Sequence, residues 1–183
     1  MSTLDTARAV TCCFAGHRPQ KLPFNFNSQD TKSNRFIQSV ITAIKQAYSD
    51  GYRVFLCGGA AGFDLICGAT ILNIKSQLPD AKLYCILPYQ KWEPNVFAQW
   101  RHLFKRVVSE CDRIKYITEN EAPGSRILRS HALIDHSSRV IAYFDGDPGG
   151  TSHLLGYAQT KKINVINLFN PERKIVKLNY QID

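Results

Sequence analysis

The sequence has one methionine, two tryptophans and no low-complexity tract. No apolar run approaches the roughly 18 residues that a membrane-spanning helix needs, so no membrane partner is expected. The first residues, M-S-T-L-D-T-A-R-A-V, lack the apolar core of a secretory signal. They predict a cytoplasmic protein with a short flexible start over residues 1–9. Six cysteines, at positions 12, 13, 57, 67, 85 and 111, form no C-x-x-C pair. Neighbouring Cys12 and Cys13 would point to opposite faces of a strand, which spoils them as joint metal ligands. The histidines at 17, 102, 131, 136 and 153 show no ligand spacing either. Neither a metal site nor a bound cofactor is expected, and the cysteines read as small buried hydrophobes in a reducing compartment.

What remains is a chain of ordinary globular composition. Its 183 residues, 44% of them hydrophobic, suit one domain with a proper core. Residues 170–183 read as a C-terminal extension or an edge strand. Basic residues outnumber acidic ones 23 to 15, for a formal charge of +8. That balance favours polyanionic ligands without choosing between a nucleotide and a nucleic acid.

The most informative stretch is V-I-A-Y-F-D-G-D-P-G-G-T-S-H-L-L-G-Y-A, from Val140 to Ala158. It predicts a buried strand (Val140 to Phe144), a sharp turn, and a helix opening at Thr151 as its N-cap. Gly149 and Gly150 let a ligand approach the backbone. The free N–H groups and positive dipole end of the helix then favour an anion, most often phosphate. A second elbow follows the strand Arg53 to Cys57, in G-G-A-A-G-F-D from Gly58 through Gly59 and Gly62 to Asp64. Its glycines do not match G-x-G-x-x-G. Asp64 falls in the first helical turn, where it either caps the helix or accepts ribose hydroxyls or a water. A third loop, Gly16-His17-Arg18-Pro19, leaves the strand Val10 to Ala15; there Arg18 is within reach of a phosphate and His17 of a ribose or base, unless both are solvated loop residues.

Strands over 82–87, 113–117 and 163–168 alternate with helices over 33–49, 63–77, 94–111, 124–137 and 151–161. Apolar residues fall at helical spacing at Phe36, Ile37, Val40, Ile41, Ile44, Ala47 and Tyr48 in the first helix. Val96, Phe97, Trp100, Phe104 and Val107 share one stripe of the third, where helical packing accounts for the Trp. That alternation predicts an α/β, Rossmann-like three-layer sandwich with a mostly parallel sheet of about six strands. Ligands of such sheets bind outside the carboxyl ends of the strands, where the strand order reverses. All three loops follow strand ends, so all three are expected to line one crevice.

The segments C-C-F-A-G-H-R-P at 12–19, G-G-A-A-G-F-D at 58–64, C-I-L-P-Y at 85–89, R-S-H-A-L-I-D-H-S-S-R-V-I-A-Y-F-D-G at 129–146 and P-G-G-T at 148–151 occur in this order. Together they resemble the YpsA-like group of bacterial and phage proteins in the SLOG (SMF/DprA–LOG) superfamily. The resemblance implies a nucleotide-derived ligand, related to NAD or ADP-ribose or a cyclic nucleotide, held for sensing or sequestration. It places Gly16, His17, Arg18, Gly58, Gly59, Gly62, Asp64, Pro88, Arg129, Asp145, Gly146, Gly149, Gly150 and Thr151 in the ligand site. It also implies a homodimer. LOG enzymes release a base from nucleoside monophosphates with an Arg, near Arg129 here, and a Glu three residues after the Thr151 position. That residue is Leu154, and the acid often found five residues after the Asp64 position is Ala69. A nucleotide N-glycosidase or phosphoribohydrolase, with Asp64 and Arg129 as catalytic candidates, is therefore the alternative. DprA-like single-stranded DNA binding is the second alternative.

Overall fold

A computed structural model describes residues 7–22, 31–93 and 98–169 of the chain. Its elements alternate: β1 (Thr11–Gly16), α1 (Thr31–Ser49), β2 (Val54–Cys57), α2 (Phe63–Ile74), β3 (Lys82–Tyr89), α3 (Ala98–Glu110), β4 (Arg113–Thr118), α4 (Ser125–Asp135), β5 (Arg139–Tyr143), α5 (Gly150–Thr160) and β6 (Asn164–Asn167). The six strands form one sheet in the order β4-β3-β2-β1-β5-β6, and every pairing is parallel. The α/β expectation is met, with an all-parallel sheet where a mostly parallel one was predicted. The chain steps outward from β1 to β4, then returns to the other side of β1. The reversal lies between β1 and β5, which run in register from Cys12 opposite Arg139 to Gly16 opposite Tyr143.

Both faces of the sheet are covered, which is why its central strands read as unbroken apolar runs. Side chains alternate faces along a strand. Cys12 and Phe14 join a core cluster with residues of α1, α2 and α3, whereas Cys13 and Ala15 join one with residues of α4 and α5. On α1 the buried residues are Phe36, Val40, Ile44 and Ala47, four of the seven apolar positions expected at helical spacing. Helix α2 is buried on nearly every side, from Phe63 to Ile71, as suits a helix wedged between two others and the sheet. Helix α3 buries Trp100, Phe104 and Val107. The Trp is packing, as its spacing predicted. Val96 and Phe97, placed on the same stripe, lie outside the described residues, as does the expected strand in the tail.

Most element boundaries shift by one to three residues from the sequence reading, and two of the differences carry contacts. Residues 7–9, expected to be frayed, form a helical turn in which Arg8 Nε donates to the carbonyl of Ser137 (3.0 Å) and Thr11 Oγ1 to that of Ala7 (2.7 Å). The strand expected to close at Pro88 continues through it to Tyr89. Proline is tolerated there because it still offers a carbonyl, which accepts from Thr118 Oγ1 (3.0 Å) on the edge strand β4.

Phe63 is the first residue of α2 and is fully buried. It stacks on Tyr143 (5.9 Å between centroids) and meets Phe36 edge-on (6.0 Å), so it joins α1, α2 and β5 under the carboxyl ends of the strands. Phe63→Ala should lower the unfolding free energy by about 3–5 kcal/mol in a urea titration; a loss below about 1 kcal/mol would contradict this packing.

Candidate functional site

The loops after β1, β2 and β5 meet around the backbone of His17. Its N–H donates to the carbonyl of Tyr143 at the end of β5 (3.2 Å), and its own carbonyl accepts from the N–H of Phe63 at the start of α2 (3.1 Å). The loops approach so closely that a Cβ on Gly62 would strike the His17 carbonyl and the backbone of Arg18. Gly62 also has φ +105°, which an L side chain rarely adopts. Gly16 is tight for a different reason, since a Cβ there would lie 2.5 Å from the Phe63 ring.

The His17 side chain continues the same junction. It is buried, and its Nε2 lies 2.9 Å from the amide nitrogen of Asp145 and 2.7 Å from Asp145 Oδ1. Neutral, with its proton on Nδ1, the ring accepts from the amide; protonated at Nε2, it donates to the carboxylate. His17 was expected at the surface of a loop, where it would reach a base or a ribose. Its nitrogen is instead engaged with the β5 turn. Lys21 adds a second tie across the same gap, to Asp147 Oδ2 (2.5 Å) and Asp145 Oδ2 (3.6 Å). Burial raises the Asp145 carboxyl, but the Asp147 amide, His17 and Lys21 outweigh it and hold it below the usual carboxylate range.

Asp64 sits in the first turn of α2, as predicted, but it points back at its own elbow. Oδ1 accepts from the Gly58 N–H (3.0 Å) and Oδ2 from the Ala60 N–H (2.7 Å). Both oxygens therefore hold the loop, and Asp64 is buried. Desolvation pushes its carboxyl upward, opposed by Arg129 and by the two amides. Arg129 reaches the same elbow from α4, on the other side of the sheet. It is 6% exposed, donates from Nη1 to the Gly58 carbonyl (2.6 Å), and keeps a buried Nε with no partner. A Cβ on Gly58 would collide with that guanidinium, and one on Gly59 would lie 2.5 Å from Leu87. The β2 elbow is thus filled from within by protein.

The β5 elbow is open. Among the described residues, a Cβ built on Gly146, Gly149 or Gly150 meets nothing within 4 Å. Helix α5 begins at Gly150, with Gly149 as its N-cap (φ 152°, ψ −166°) and no side chain capping it. Thr151 was expected to be that cap. It lies inside the first turn, because Gly149 takes an extended positive-φ conformation closed to other residues and starts the helix earlier. Among the described residues, no side chain caps the N–H groups of Gly150 and Thr151. Leu154 is buried in the cluster under α5, and Ala69 is buried in α2. Pro88 is buried within β3.

Sequence reasoning did not single out Lys21, Trp92 or Arg126. Trp92, just after β3, donates from Nε1 to the Gly59 carbonyl (3.2 Å), and the Arg126 guanidinium lies over its ring at 5.1 Å. No local pattern announces such contacts between distant positions.

Two substitutions test the geometry. Asp64→Asn leaves one elbow amide facing an NH2 group and removes the carboxylate nearest Arg129, so it should destabilise the protein by at least about 2 kcal/mol in urea. An effect within about 0.5 kcal/mol would mean that the amides are satisfied otherwise. A carboxylate depressed in the folded state adds stability above its unfolded value, about 3.9, and loses it as pH falls through the folded one. The stability gap between wild type and Asp145→Asn should therefore be full at pH 7 and close below about pH 4. A gap independent of pH would contradict the Asp145 contacts.

Comparison with known proteins agrees with this architecture. The YpsA model, described as the YspA SLOG family, matches residues 12–170. The chain is 28% identical over 117 residues to the SPbeta prophage-derived protein YoqJ of Bacillus subtilis (strain 168), covering 57% of this chain and 68% of YoqJ. It is 25% identical over 115 residues to a UPF0398 protein of Bacillus cereus (strain G9842), covering 61% of this chain and 62% of that protein. Among solved structures, DNA processing protein A of Helicobacter pylori, described for its single-stranded DNA binding mode, superimposes with a TM-score of 0.59 at 17% identity. That match covers 91% of this chain and 68% of the other; the Streptococcus pneumoniae protein gives 0.57 at 13%, covering 89% and 51%. At these identities the structures share the fold, and this chain spans roughly half to two thirds of each relative. With the family match running from β1 beyond β6, the chain belongs to the YspA SLOG family.

Proposed function

We propose that the protein binds a nucleotide-derived small ligand through its phosphate at the N-terminus of α5. The observation that carries this reading is the open β5 elbow. Gly149, Gly150 and Thr151 present helical N–H groups that no described side chain caps, at the strand-order reversal, and no described residue fills the space beside the two glycines. Free donors, the helix dipole and a crevice at the reversal favour an anion together. Membership of a SLOG family and a fold shared with DNA processing proteins support a nucleotide or nucleic-acid ligand in general. NAD- or ADP-ribose-like and cyclic nucleotides are the specific candidates. Arg18 is the nearby cation free to reach a second oxygen. Sugar hydroxyls fall to Asp145 at the turn, because both oxygens of Asp64 already accept from amides.

A glycosidase reading finds less support. The position three after Thr151 is a leucine with its side chain in the core, and Asp64 is buried and engaged. The site would need Asp145 or Asp147 as its acid/base group. Single-stranded DNA binding is favoured by the charge of +8, and it predicts affinity that falls steeply with salt.

The test is chromatography of AMP, NAD, ADP-ribose and cyclic dinucleotides after incubation with excess protein, before and after heat denaturation. A nucleotide should leave the free pool and return intact. Gly150→Glu should abolish capture while leaving the thermal midpoint unchanged or raised, because a carboxylate at a helix N-terminus favours the helix but repels phosphate. Capture that survives this substitution sinks the proposed site. Free base released with time would establish the hydrolase reading instead.

A further inference from the structure

Beyond the phosphate site, positive groups continue along the carboxyl edge of the sheet, one per strand. Arg18 follows β1. Arg129 lies against the Gly58 elbow after β2. Arg126 is stacked on Trp92, just after β3. The three guanidinium groups act on one another electrostatically, although like charges repel. Asp64 is the carboxylate set among them, and its oxygens are taken by backbone amides. Arg129 carries a buried donor with no partner, and among the described residues Arg18 forms no ion pair. Arg129 is spent on the β2 elbow, so the exposed guanidinium groups of Arg18 and Arg126, held near it against their mutual repulsion, are the ones open to an anion.

The row is also bounded. Asp145 and Asp147 stand at the β5 end, and Glu121 pairs with Arg126 at the other (3.3 Å). Neighbouring strands are about 4.8 Å apart, so the three steps from β5 to β3 span about 14 Å. One phosphoryl group cannot touch both ends. An open cleft of about 520 Å3, lined by residues including Pro123, Gly124 and Arg126, adjoins the far end.

We infer that the ligand carries two phosphoryl groups separated by a nucleoside, one on the α5 N-terminus and one on Arg18 and Arg126, with Arg129 adding its charge from beneath. This rests on the proposed reading of α5. The carboxylates at both ends fit a free dinucleotide better than a continuing strand, whose further phosphates they would repel.

The probes are AMP, the 5′-phosphorylated diadenylate pApA and a 5′-phosphorylated oligodeoxyadenylate, with affinities measured by calorimetry. The wild type should bind pApA at least about tenfold more tightly than AMP, the scale of one charge-assisted contact. Arg126→Ala, a substitution at an exposed side chain, should erase most of that advantage and leave AMP binding unchanged. Equal affinities for AMP and pApA, both abolished by Gly150→Glu, would overturn the inference and leave the α5 phosphate site standing. An unchanged ratio in Arg126→Ala would overturn it as well. Failure of the wild type to bind either probe would overturn both readings. An oligonucleotide that binds far more tightly than pApA, with steep salt dependence, would overturn the assignment to a free dinucleotide.

Discussion

The carboxyl edge of this sheet depends on one peptide segment, the backbone of His17 threaded between β5 and α2. Its N–H and carbonyl are spent on Tyr143 and Phe63, so two loops from opposite sides of the strand-order reversal are fixed by consecutive bonds of one residue. Buried backbone groups must be paired. Any movement of the β1 loop would therefore break pairings in two neighbours at once. The aromatic ring of Phe63 beneath and the missing Cβ atoms of Gly16 and Gly62 are what let three loops come this close. The site is built by packing first, and its chemistry is arranged on that frame.

The electrostatics follow the same logic. Burying Asp64 and Arg129 is unfavourable for each alone, and both shifts run toward the neutral forms. The pair persists because each group also serves the backbone of the β2 elbow, Asp64 through two amides and Arg129 through the Gly58 carbonyl. They act as the internal fittings of a loop. At the β5 turn the balance is different: Asp145 and Asp147 lie close to solvent and are met by His17 and Lys21 from the β1 loop. A phosphate at the proposed site would meet helix donors together with carboxylates already compensated, so it need not displace a bound charge.

Much of this was legible from sequence because it depends on local pattern. The central strands are short apolar runs, the helices carry 3.6-residue stripes or continuous burial, and the turns are marked by glycine and proline. The parallel sheet followed from the alternation, and the crevice from the rule that loops at strand ends converge. The strand order, and the more polar edge strands β4 and β6, are read from the structure alone. What was not legible are the long-range side-chain contacts. Arg129 meets Gly58 across 71 positions and Lys21 meets Asp147 across 126, and no period connects such pairs. Thr151 was misread as the cap because a threonine before an apolar run is the usual signal, whereas Gly149 started the helix through a conformation that sequence does not display.

The two glycine elbows show most clearly where sequence reasoning stops. G-G-A-A-G and G-D-P-G-G look alike as strings, and each precedes a helix at a strand end. In the fold they are opposites. Around Gly58, Gly59 and Gly62 the space a side chain would need is already taken by Arg129, Leu87 and the His17 backbone. Around Gly146, Gly149 and Gly150 no described residue occupies it. The first set makes room for the protein itself, and the second is where the proposed ligand would find room. Glycine in a loop has the same conformational signature in both cases, so only the occupancy of the space beside it separates a packing device from a binding surface. By that criterion the proposed ligand site falls on the β5 elbow, where no described side chain caps the helix, and the β2 elbow is the wall beside it.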